Sequence, residues 1–146
     1  MLLKKTNSLT FFTPEENSQN GALFIDTSIS AGFPSPADDF KQERLSLDKE
    51  LIKNKEATFF ARVSGQSMID AGLHDNDLLV IDRSLEPENN KIAVCYLDGE
   101  FTVKRLKVKN GTIWLIPENK NYEPIKITEE NNFIIWGIVT NVIKKV

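Results

Sequence analysis

"KIAVCYLDGEFTVKRLKVKNGTIWLIP", Lys91 to Pro117, decides the fold. Three runs rich in β-branched and aromatic residues are separated by Asp98-Gly99 and Asn110-Gly111. Both dipeptides favour the tight turns that join antiparallel strands. Outward from this double hairpin the same composition recurs in "ATFFARV" (Ala57–Val63), "DLLVID" (Asp77–Asp82) and "NFIIWGIVTNVI" (Asn132–Ile143). The chain therefore reads as mainly β, a compact β-domain with short helices. In the last run Phe133, Ile135, Trp136 and Val139 either close the core of one subunit or form a contact between two.

The first 40 residues differ. Their apolar pairs are scattered among Ser, Thr, Asn and Gly, and Pro34 and Pro36 forbid a helix there. An extended N-terminal arm over 1–40 followed by a β-domain over 41–146 is the expected organisation. Asp39 and Gln42 have capping-box spacing, and Ser46 is placed to cap a short helix in "LDKELIKN".

Composition narrows the function. A net charge of −3 over 146 residues opposes general nucleic-acid binding, which requires a basic face. The densest basic run, "KRLKVK" (Lys104–Lys109), alternates with apolar residues as a half-exposed strand does. Cys95 is the sole cysteine, so no internal disulfide forms, and "IAVCYL" makes it core filler. His74 is the sole histidine, which removes His-based metal clusters and any Ser-His-Asp triad not built on it. No metal or cofactor is expected. Neither a secretory h-region nor a run of about 20 apolar residues is present, so a cytoplasmic chain without a membrane anchor is expected.

Ser67, in "SGQSMIDAG" (Ser64–Gly72), either caps a helical turn or is a nucleophile in need of a base. Ser46 and Lys49 in "SLDK" match a Ser-x-x-Lys pattern, but the companion motifs of that chemistry are missing. Lys104 is the more interesting amine. Strand alternation puts it on one face with Thr102, Leu106 and Val108, opposite Phe101, Val103 and Arg105. If that face is inward, loss of water lowers its pKa from about 10.4; acting as a base near neutrality takes about three units, or about 4 kcal/mol. The alternative is a stem that snorkels its charge to water. Asp70, Asp75 and Asp77 either tune the site or solvate a turn.

Taken together, "SGQSMIDAGLHDNDLLVID", "DGEFTVKRL" and "AGFPSPADDF" resemble the LexA-type Ser-Lys self-cleaving peptidases, and most closely their UmuD branch of SOS mutagenesis proteins. The resemblance runs from about Ala31 to the C-terminus and implies a LexA/UmuD-type peptidase β-domain. It implies Ser67 as nucleophile, Lys104 as general base, and the backbone N–H groups of Gln66 and Ser67 as oxyanion donors. It implies Ala31-Gly32 as the scissile bond. The UmuD type often carries cysteine before that glycine, whereas Ala31 matches the Ala-Gly common in LexA-type repressors. The implied partners are a RecA–single-stranded DNA filament as co-protease, a second copy of the chain, and a UmuC-type translesion polymerase joined by residues 32–146. A repressor of the LexA or phage type is the alternative; it needs a helix-turn-helix that the residues before Gly32 do not suggest, so sequence-specific DNA binding is not expected.

Overall fold

A computed structural model describes residues 9–14, 22–25 and 42–146. Two compact units divide the chain: Met1–Pro14 with Asn54–Val146, and Glu15–Lys53.

The larger unit is built on one antiparallel sheet. Its strands are β1 (Thr10–Phe12), β4 (Thr58–Arg62), β5 (Leu78–Asp82), β6 (Ile92–Leu97), β7 (Glu100–Lys109), β8 (Thr112–Ile116), β9 (Ile125–Lys126) and β10 (Phe133–Ile143). They are ordered β1-β4-β5-β10-β6-β7-β8-β9. The expected strands all form, within a residue or two of the sequence runs. Asp98 and Gly99 take φ of 47° and 90°, and Asn110 and Gly111 take 51° and 75°. Both pairs are thus left-handed, as two-residue hairpin turns require.

β10 is the hinge of this sheet. Its first half pairs with β6 and its second half with β5, with register shifts between Ile135 and Gly137 and between Val139 and Asn141. Such bulges bend a strand and increase its twist. At Gly137 the backbone passes so close to β5 that a Cβ would stand 2.6 Å from Ile81 Cγ2. In a flat sheet β4 and β7, four places apart, would be separated by about 19 Å. Instead one apolar cluster joins Ala61 of β4, Ile81 of β5, Val94 of β6 and Val103 of β7. The sheet curls, and that curl brings the end of β4 over β7.

A second cluster, with Ala93, Cys95, Leu106, Leu115 and Ile138, fills the other side. Cys95 is fully buried in it, as filler. Trp136 and Val139 pack on the first cluster, Phe133 and Ile135 on the second, so these four residues close the core of a single chain. β1 was not legible as a strand: it pairs with β4 from Thr10↔Arg62 to Phe12↔Phe60, and Phe11 packs against Phe101 and Trp136.

In the smaller unit β2 (Ala22–Ile25) pairs antiparallel with β3 (Gln42–Leu45), and α1 spans Leu47–Leu51. Ser46 caps α1, its Oγ accepting from Lys49 N, which accounts for the Ser46-x-x-Lys49 spacing. The expected capping box at Asp39 and Gln42 does not form, because Gln42 is in β3 opposite Ile25. Pairing with a distant apolar strand overrides the local helical signal. Asp39 lies outside the described residues, as do Ala31, Gly32, Pro34 and Pro36. Among the described residues no helix is long and apolar enough to cross a membrane.

Candidate active site

Ser67 lies in the loop between β4 and a 3-10 turn at Ile69–Ala71. It is not a cap: Met68 holds that position, without a side-chain hydrogen bond. The loop is shaped by Gly65, whose φ of 103° suits only glycine. Gly65 N donates to Asp75 Oδ1 at 3.1 Å. Met68, buried, pins the far side of the serine, with Glu118 N directed at its Sδ at 3.3 Å.

Lys104 comes to the serine from β7. It faces Ala93 across the β6–β7 ladder, while Thr102 faces Cys95. Only 7% of the lysine is exposed, so it does not snorkel. Its Nζ lies 2.8 Å from Ser67 Oγ, donates to Thr102 Oγ1 at 2.8 Å and donates to the Val103 carbonyl at 3.0 Å. Burial brings its pKa down to about 8 from the ordinary 10.5. The neighbouring Cys95 thiol is itself pushed up to about 12 by burial and stays neutral, so no thiolate holds the amine charged.

Three acceptors surround the amine, so a charged Nζ can donate to all of them with its three N–H bonds. Neutral Nζ has two N–H bonds and one lone pair. Once the amine is neutral, the Val103 carbonyl and Thr102 Oγ1 can take its two N–H bonds and the lone pair can face the Ser67 hydroxyl. In that state the amine can accept the hydrogen of the hydroxyl. Thr102 is a site residue to which the sequence reading gave no role, although strand alternation had already put it on the face of Lys104.

A cavity of about 20 Å³ adjoins Ser67, with Leu9, Val63, Leu73 and Thr102 in its walls. It has room for about one water or one methyl group. Among the described residues neither the Gln66 nor the Ser67 amide hydrogen has a protein acceptor, so both are free to meet an oxyanion. Asp75 and Asp77 do more than solvate a turn. Asp75 holds Gly65, whereas Asp77 is buried, accepts from His74 N at 2.8 Å and pairs with Lys144. Asp70 is exposed, and its backbone N donates to Glu118 O. The basic run at Lys104–Lys109 is no phosphate track: Lys104 turns inward, Arg105 pairs with Glu118, and Lys107 reaches Asn90.

A Peptidase S24-like family model matches residues 22–140. The chain belongs to that family. Protein MucA of Salmonella typhimurium is 44% identical over 114 residues, 77% of each chain. Protein SamA of the same species, strain LT2, is 42% identical over 138 residues, 94% of this chain and 96% of the relative. Protein ImpA of Shigella flexneri is 41% identical over 129 residues, 84% and 83% of the two chains. Within the Peptidase S24-like family this chain is of the UmuD type and LexA-like, as the resemblance in its sequence implied.

Proposed function

We propose that the chain is a serine peptidase that cuts itself between Ala31 and Gly32 with a Ser67-Lys104 dyad. The observation that carries this reading is the 2.8 Å approach of a buried amine with a pKa of about 8 to a loop hydroxyl. Neutral Lys104 takes the Ser67 proton as Oγ bonds to the Ala31 carbonyl carbon. The developing oxyanion is met by the Gln66 and Ser67 amide hydrogens. The C–N bond then breaks, Lys104 returns the proton to the Gly32 nitrogen, and Ala31 is left as an ester on Ser67. Water, deprotonated by Lys104, releases Ala31 as a carboxylate and restores the hydroxyl.

The substrate is part of the chain, so docking has a high effective concentration and control matters more than speed. A lysine mostly protonated at neutral pH is one restraint. A RecA–single-stranded DNA filament that favours the docked segment would relieve another by population shift. Residues 32–146 would then serve in the cytoplasm as a homodimeric accessory subunit of a UmuC-type translesion polymerase in the SOS response. Ile134, 60% exposed on β10, is apolar surface available for such assembly.

The reading is tested by incubating the protein with activated RecA filament and identifying product N-termini by mass spectrometry. A fragment beginning at Gly32 from the native chain, and none from Ser67→Ala, is expected. A cut elsewhere, or none under any condition, would overturn it.

A further inference from the structure

The Asn119 side chain has no hydrogen bond to Ser67 Oγ or Lys104, yet among the described residues it is one of the few buried polar ones, 8% exposed. Its Nδ2 donates to the Gln66 carbonyl at 2.8 Å, much closer than the one other donor to that oxygen among the described residues, Ile69 N at 3.4 Å. Its Oδ1 accepts from Asn121 N at 3.0 Å, which fixes which end of the amide faces Gln66. The adjoining residue holds the loop from the other side, since Glu118 O accepts from Asp70 N at 2.8 Å. The segment Glu118–Asn119 thus brackets Ser67 through backbone groups before and after it.

The Gln66 carbonyl and the Ser67 N–H belong to the same peptide, and no cis bond is present among the described residues. In a trans peptide the C=O and N–H point in opposite directions. A carbonyl held against Asn119 therefore turns the Ser67 amide hydrogen away from Asn119. That hydrogen has no other protein acceptor among the described residues. If this peptide rotated, a carbonyl oxygen would replace the hydrogen and repel an oxyanion instead of binding it.

We propose that Asn119 is a positioning residue that sets the Gln66–Ser67 peptide so that the Ser67 amide hydrogen serves the oxyanion. This rests on Ser67 being the nucleophile. The bond to the Gln66 carbonyl requires a donor at position 119, not merely a side chain of that size. An aspartate fills the same volume but turns a carboxylate oxygen toward the carbonyl.

The test is self-cleavage of the full chain followed against pH for the native protein, Asn119→Ala and Asn119→Asp, with thermal melting of each. The native chain yielding no Gly32 terminus would be failure of the underlying reading. Given native cleavage, the plateau rate should fall about 10- to 100-fold in Asn119→Ala and further in Asn119→Asp. The midpoint of the profile should stay near its native position in Asn119→Ala, because the contacts of Lys104 are untouched, whereas the added carboxylate of Asn119→Asp moves it upward. If Asn119→Ala does not fold, Asn119→Ser takes its place, since its hydroxyl is too short to reach Gln66 O. Cleavage by Asn119→Asp equal to or faster than the Ala or Ser variant, or a midpoint moved up toward an ordinary lysine in the uncharged Ala or Ser variant, would overturn the proposal in favour of simple packing.

Discussion

Ala93 stands directly opposite Lys104 in the β6–β7 ladder, and both are buried. Ala93 and Leu106 belong to the same apolar cluster, and an alanine opposite the lysine takes little space from its stem. The amine is thereby held inside, where it meets hydroxyls and a carbonyl in place of water.

A buried ammonium costs stability wherever it stays charged. Below about pH 8 Lys104 is protonated in both folded and unfolded chains, and the full cost is present. Between about 8 and the ordinary lysine value of 10.5 the unfolded chain binds the proton that the folded chain has lost, so stability rises with pH. Lys104→Met should abolish cleavage and make the protein about 1–3 kcal/mol more stable at pH 7. The difference in melting temperature between variant and native protein should shrink by pH 10. A variant less stable than the native chain at pH 7 would contradict the burial argument.

Thr102 Oγ1 takes one hydrogen from Nζ, and a hydrogen bond of that kind favours the charged amine. Thr102→Val keeps the shape and removes the acceptor. The apparent midpoint of cleavage should move down by about one unit, and the plateau rate should fall about tenfold as Nζ loses its orientation. Rates against pH, compared with the native chain, check both effects.

The cavity beside Ser67, about 20 Å³, suits a side chain no larger than that of alanine. Ala31→Leu should slow appearance of the Gly32 terminus by about 100-fold or more, while melting is unchanged. Equal rates for the two chains would show that the residue before the cut does not enter this cavity.

Gly137 has no space for a side chain: its Cβ would meet Ile81 Cγ2 at 2.6 Å and Arg83 Cγ at 3.2 Å. Gly137→Ala should cost about 1–3 kcal/mol in denaturant unfolding. Cleavage should slow as well, because the β10 bulge curls the sheet that brings β4 and β7 together.

The six expected strands could be read because each carries its own signal. β-branched and aromatic runs end at Asp98-Gly99 and Asn110-Gly111, whose backbone demands are local. Ser46 was readable as a cap for the same reason. β1 and β9, three and two residues long, were not, since short strands exist only through distant partners. Gln42 was misread because its helical spacing is local and its pairing with Ile25 is not. At the site, alternation gave the face of Lys104 but left its burial open between two readings. The hydrogen bond from Asn119 to Gln66 spans 53 positions, and no spacing rule predicts it.

The most direct measurement is the rate at which the purified full-length chain, without any filament, produces a Gly32 N-terminus as pH is varied. A base with a pKa of about 8 predicts a rise of about tenfold from pH 7 to pH 9, levelling above that, and no product from Ser67→Ala. A rate independent of pH across this range, or a Ser67→Ala chain that cuts as fast as the native one, would contradict the dyad.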